Sequence, residues 1–242
     1  MIQRVHLGVE LTTRRDAPRR QTSSYLDQPS VTSQRKNVTN VLREAIIFGE
    51  LKPGTQLKQD DIAQKFGCSP APVREALRDL ESEGLVEHFH NRGVFVTNIS
   101  NKEIVEVLLP IRLVLEKFAL RNASEKFTPG VVDNLNEQIE IMKVGARKKD
   151  IRMVNEADVK FHVITMEVAS TDQTLQLWKS VLSRIRLEFY RIGASPTLAQ
   201  QASEHKKLLE AILTGKEKII DRALEEHIID SVVNRLDKEK KR

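Results

Sequence analysis

Residues 68–97, "CSPAPVREALRDLESEGLVEHFHNRGVFVT", narrow the possible folds most, because their apolar residues change period halfway along. Val73, Ala76, Leu77 and Leu80 recur at i, i+3, i+4 and i+7, the repeat of one helix face. Ser69 suits the cap before that helix, and Pro70 its first position, where the missing N–H has no intrahelical partner in any case. "LVEHF" and "VFVT" then read as short β-type runs joined by "HNRG", a hairpin whose Gly93 can take positive φ.

Upstream, Val38, Val41, Leu42, Ala45 and Ile46 keep helical spacing as far as Gly49. "LKPGTQL" reads as a turn, with Pro53 and Gly54 suited to the centre of a type II turn. A second helix runs from about Asp60 to Phe66, burying Ile62, Ala63 and Phe66, and stops at Gly67. Two short helices across a tight glycine turn make a helix-turn-helix. With the helix before them and a two-stranded ribbon after, residues 37–100 are expected to form a winged helix-turn-helix with a small β-hairpin wing.

Residues 101–242 read as helices throughout. Ser100 and Glu103 match a capping box, opening a helix expected to bury Ile104, Val107, Leu108, Ile111, Leu115 and Phe118. Thr128–Pro129 and Ser195–Pro196 repeat the cap-then-proline signal, and Gly215 is a stop. Six helices are expected, near 101–125, 129–148, 151–170, 172–192, 196–214 and 216–237. Their short connections predict an antiparallel all-α bundle over residues 101–237, with 238–242 as a basic tail and a fold that is mainly α.

Charge is unevenly divided. Residues 1–36 hold seven Lys/Arg against three Asp/Glu, and residues 37–100 hold seven against nine. Basicity therefore lies mainly in a leading segment rich in Arg, Ser, Thr and Gln, read as a flexible basic arm. Any DNA contact by residues 37–100 must rest on where charges sit rather than on their number. Arg74 and Arg78 stand one turn apart on one flank of the third helix, with Glu75 and Asp79 on the other, and Ser69 opens it. Arg92 at the hairpin tip, with His90, is placed for a minor groove, and Arg43 and Lys65 for phosphates.

One cysteine, Cys68, excludes an internal disulfide and fits a reducing compartment. The first residues lack a signal-peptide core, and no stretch approaches the roughly 20 apolar residues that cross a bilayer. The expected location is cytoplasmic, away from membranes.

Within "NEADVKFHVIT", Asp158 and His162 stand one helical turn apart in an apolar pattern. His205 and His227 lie on two further helices, also among apolar neighbours. Burying such groups unpaired costs on the order of 1–3 kcal/mol each, which a shared divalent cation relieves and ordinary buried ion pairs also relieve. Zinc, nickel or another first-row metal suits three imidazoles and a carboxylate. Arg112, one turn before Glu116, is either half of an intrahelical pair or a planar clamp for a carboxylate.

The stretch from "LREAII" to "RGVFV" resembles the winged-helix domain of the GntR family of bacterial transcription regulators, most specifically through "PVREALRDLESEGLV" and the "NRG" of the wing. The resemblance implies that Arg74 contacts operator DNA. Pro70 departs from the arginine usual in the family, and Asp60 and Asp61 from the basic residue that many members carry there. The order "IRLVLEKFAL", "NEADVKFHVIT", "SEHKKLLEAI", "RALEEHI" is similar to the FCD ligand-binding domain in its shorter, six-helix form. That likeness implies Asp158, His162, His205 and His227 as metal ligands, a small organic acid completing the coordination, and Arg112 as its clamp. The expected protein is a homodimeric, ligand-responsive regulator reading double-stranded operator DNA, with half-sites roughly 34 Å apart, and not an enzyme. The alternative is a hydrolase-like metalloenzyme with an attached winged helix, against which stands the lack of a His-Glu-x-x-His motif. A silent core histidine cluster would instead hold no metal.

Overall fold

The computed structural model describes residues 30–121, 123–192 and 198–233. Its first half comprises α1 (Val31–Ile47), β1 (Gln56–Leu57), α2 (Gln59–Phe66), α3 (Pro70–Ser82), β2 (Val86–Phe89) and β3 (Gly93–Val96). The helical periods converge on one core, where Val38, Leu42 and Ile46 of α1 meet Val73, Ala76, Leu77 and Leu80 of α3. Val41, expected with them, is instead 47% exposed. Pro70 begins α3 as expected, but Ser69 caps by backbone position alone, its hydroxyl making no capping bond.

The turn chemistry at Pro53–Gly54 is as read. Thr55 N–H donates to the Lys52 carbonyl at 3.0 Å, and Gly54 takes the positive φ, 79°, that the third position of such a turn requires. The end of "LKPGTQL" is not turn, however: Gln56 and Leu57 pair antiparallel with Phe95 and Val94. The wing is therefore a three-stranded sheet of order β1-β3-β2. A two-residue strand has no periodicity to display, which is why the sequence shows only a hairpin.

In the second half, α4 (Asn101–Glu103) passes through a π-helical stretch, Ile104–Leu108, into α5 (Leu109–Leu120) as one rod. After it come α6 (Pro129–Lys148), α7 (Ile151–Ala169), α8 (Asp172–Ile192), α9 (Leu198–Leu213) and α10 (Glu217–Glu225), the last continuing into a π-helical Glu226–Asp230. Six rods thus make up this bundle among the described residues. Ser100 Oγ accepts from Glu103 N–H at 3.1 Å, the capping contact expected. Asp150 caps α7 by accepting from Met153 N–H at 2.9 Å, a cap the sequence reading did not single out. The expected Ser195–Pro196 cap lies outside the described residues. None of the described helices is long and apolar enough to cross a membrane.

The phase of the first rod differs from expectation. Ile104 and Leu108 are buried, but Val107, Ile111 and Phe118 are exposed. A π turn carries an extra residue and rotates everything beyond it relative to a regular α-helix. Downstream of it, Arg112 and Glu116 take the inner face.

The halves touch at two arginines. The Arg152 guanidinium of α7 lies 3.8 Å from the centre of the Phe48 ring and bonds Glu44 of α1 at 3.2 Å. Arg184 of α8 fills the space beside Gly84, just past α3, so closely that a Cβ there would stand 2.3 Å from its Cζ. Gly84 also has φ of 72°. Gly84→Ala is expected to lower stability by about 1–2 kcal/mol through the left-handed backbone alone, with a further loss from displacing Arg184. Urea denaturation measures it.

Candidate functional site

The inner faces of α5, α7, α9 and the π-helical continuation of α10 surround one cluster of polar side chains. Asp158, His162, His205 and His227 each offer a ligand atom, and these atoms all lie within 4.8 Å of one another. Helical spacing places the first two on one face of α7, while the bundle brings up His205 from α9 and His227 from the π-helical end of α10. The three imidazoles are buried and the Asp158 side chain is 14% exposed.

At His205 a hydrogen bond behind the ring directs the lone pair inward. His205 Nδ1 lies 2.8 Å from the Gln201 carbonyl, which can only accept, so this nitrogen carries the proton. Its Nε2 then faces Asp158 Oδ1 at 3.0 Å without an aligned hydrogen bond. Two electron-rich atoms at that distance are favourable only with a positive charge on or between them. His162 Nε2 meets His227 Nε2 at 2.9 Å. His162 Nδ1 points the other way, 3.4 Å from Glu116 Oε2. A carboxylate or a carbonyl behind the ring is how metal-binding histidines are usually held. The donor set therefore fits a divalent cation.

Glu116 is fully buried, where its Oε1 accepts from Arg112 Nε–H at 2.7 Å and from Trp178 Nε1–H of α8 at 2.8 Å. Burial pushes this carboxyl up, but the Arg112 guanidinium and His162 outweigh it and hold Glu116 well below the usual carboxylate range. Asp158 is likewise held low, chiefly by His205, against the effect of burial.

Beside the four ligands is a cavity of about 10 Å³ lined by Arg112, Asn155, Asp158, Gln201, His227 and Val232, among others. Arg112 Nη2, Asn155 Nδ2 and Gln201 Oε1 are buried there without hydrogen-bond partners. Of these three, Arg112 is a candidate from its sequence position and the two amides are not. Asn155 lies one turn before Asp158 and Gln201 one turn before His205, so their spacing from the ligands was the available signal.

The DNA-facing candidates fall on the winged half. Ser69, Arg74, Arg78, Lys65, His90 and Arg92 are all exposed. Arg92 extends from the wing with its guanidinium 5.6 Å from the Phe89 ring. Arg43 is placed differently: it donates to both oxygens of Glu83 at 2.8 and 2.6 Å and to Asn40, holding α1 to the end of α3. Nor are the flanks of α3 cleanly separated in charge, since Arg78 pairs with Glu75 at 2.7 Å, while Asp79 is turned to Arg35 of α1.

The sequence profile of bacterial regulatory proteins of the gntR family matches residues 34–96, and that of the FCD domain matches residues 106–230. The chain is 27% identical over 207 residues to the probable D-xylose utilization operon transcriptional repressor of Paenarthrobacter nicotinovorans, covering 84% of this chain and 91% of that one. It is 28% identical over 169 residues to the gluconate operon transcriptional repressor of Bacillus licheniformis, covering 70% and 68%. Among solved structures it resembles a putative GntR transcriptional regulator from Rhodococcus sp. RHA1, with a TM-score of 0.71 and 26% identity over 85% of this chain and 98% of that one. It also shares the fold of E. coli McbR/YncC, with a TM-score of 0.73 and 22% identity over 86% and 99%.

Burial, aided by Arg112 for His162 and by the other imidazoles for His227, holds both rings below their ordinary value of 6.5. Below pH 6.5 the unfolded chain takes up protons that these folded rings refuse. Stability of chelator-treated protein should thus fall with acidification, by up to about 1.4 kcal/mol per pH unit per ring. The stability that the depressed carboxyls of Glu116 and Asp158 contribute is retained through this range and lost only as pH falls past their unfolded values of 4.5 and 3.8. Urea midpoints between pH 7.5 and 5 measure the slope, which His227→Gln should make shallower.

Proposed function

Because the chain belongs to the GntR family of bacterial regulatory proteins and carries the family's FCD domain, we propose that it is a transcriptional regulator whose helical half binds a divalent cation and a small organic acid. The observation that carries this reading is the inward convergence of three imidazoles and Asp158, with an accepting carbonyl behind His205 and the Glu116 carboxylate behind His162. Members of the family bind operator DNA and usually dimerise. In this reading residues 37–100 grip the operator and residues 101–237 sense and dimerise. The basic ends 1–36 and 238–242 fall largely outside the described residues.

Zinc and nickel both accept this ligand set. When bound, the cation supplies positive charge and coordination positions open to a carboxylate oxygen. The ionised groups around the cavity favour an anion in its presence. Arg112 contributes one positive charge against Glu116 and Asp158, leaving a net negative charge that a divalent cation reverses and a monocarboxylate then cancels. Arg112 Nη2 and Asn155 Nδ2 are free to donate to the acid, and Gln201 Oε1 to accept from a hydroxyl on it. A hydroxy acid of the gluconate class is a rational first candidate.

A cavity of about 10 Å³ holds roughly one water. Any larger effector must part α5 from α9 and the end of α10, so its binding energy is spent on moving rods. Arg152 on α7 and Arg184 on α8 carry that movement to α1 and to the turn after α3. A coupling of about 1–3 kcal/mol between acid and operator would suffice for control.

Native protein is expected to contain about one metal ion per chain by elemental analysis. His205→Ala should lose it. Arg112→Lys, which keeps a positive charge beside Glu116 but loses the planar fork, should keep the metal and lose the rise in melting temperature that active acids produce in wild type. Arg74→Ala should weaken operator binding by about 5- to 150-fold in gel shifts, the range for losing one specific arginine contact. Operator affinity that ignores every acid able to stabilise the protein would sink the sensing mechanism.

A further inference from the structure

The rod α4–α5 is turned inside out. From Val107 to Phe118 every exposed residue is a large apolar one, Val107 at 45%, Ile111 at 42%, Val114 at 65% and Phe118 at 65%. Of the charges in the same span, Arg112 and Glu116 are buried, and Lys117 is half-buried against Asp221 and Glu225 of α10. A surface helix ordinarily has the reverse arrangement, and scattered single apolar residues would need no explanation. These four instead form one stripe, spaced four, three and four residues apart, the spacing of a helix seam made to pack against another helix.

We propose that this seam pairs with the same seam of a second copy of the chain, antiparallel about a two-fold axis crossing the rod between Arg112 and Leu113. The interval pattern reads identically in both directions, so the stripe is its own complement under such an axis. Val107 then faces Phe118 of the second copy and Ile111 faces Val114, each larger side chain against a smaller one. A two-fold contact of this kind closes after two copies, as a reader of two half-sites requires. The four side chains extend over about 16 Å, and a stable dimer buries roughly 800 Å² per partner. Further apolar surface is at hand on α8, packed against α5, where Leu177 is 62% exposed.

The proposal rests on the reading of the protein as a dimeric regulator and adds the surface. It also puts the self-association seam and the acid-binding Arg112 on opposite faces of one helix.

Cysteines placed in a Cys68→Ser background test the register. Val107→Cys and Phe118→Cys proteins, each alone, should not cross-link through a disulfide, because like positions are about 16 Å apart along the axis. An equimolar mixture, unfolded and refolded together, should cross-link readily. Val114→Glu buries a carboxylate in the seam and should raise the dimer dissociation constant by at least about a hundredfold in sedimentation experiments. Its circular dichroism and metal content should be unchanged, since position 114 is exposed in the single chain. Cross-linking of like with like, or a Val114→Glu protein as dimeric as wild type, overturns the seam and leaves the dimeric regulator standing. A wild type that stays monomeric at every concentration, with or without operator, overturns both.

Discussion

The buried pairing of Arg112 with Glu116 is the contact on which the helical half is arranged. Taken from the sequence alone it is an i, i+4 pair of the kind that decorates any helix surface. In place, both side chains are almost fully out of water, so the pair is costly except where further polar groups are turned to it. Trp178 supplies one bond from α8, and His162 stands against the second carboxylate oxygen from α7. One carboxylate thus locates three rods relative to one another, and it fixes the ring whose other nitrogen faces the candidate cation site. The guanidinium Nη2 left over is buried without a partner, and Arg112 lines the adjoining cavity.

That arrangement explains why the site is both enclosed and poised. A wholly apolar core at this place would be more stable and could not recognise anything. Here the bundle keeps two donors and an acceptor unpaired around a space too small for an organic molecule, so the packing at this place is a compromise between burial and hydrogen bonding. The costs are local, because the apolar core around it, including Phe161, Leu208 and Ile228, is fully buried.

The winged half was legible in the sequence because its determinants are local. Turn residues at Pro53–Gly54, Gly67 and Gly93, and the apolar period of α3, each act within a few residues. What escaped was non-local or out of phase: β1 exists only through pairing with β3, nearly forty residues away. The outer face of α5 was misread because a π turn is invisible to a fixed period of 3.6. At the site, spacing alone shows Asp158 and His162 together, whereas His205 and His227 were suggested by their apolar neighbours on two further helices, and their meeting is a property of the bundle. Asn155 and Gln201 escaped because neutral amides on a helix look like surface residues until burial is known.

Both arginines that touch the winged half sit six residues along a rod from a residue of the buried cluster, Arg152 from Asp158 on α7 and Arg184 from Trp178 on α8. Six residues advance about 9 Å and turn about 600°, so the two side chains point roughly 120° apart. The two contacts on the winged half are thus made askew to the buried cluster rather than in line with it, and together they set the angle at which α3 and the wing are held as well as their distance from the bundle.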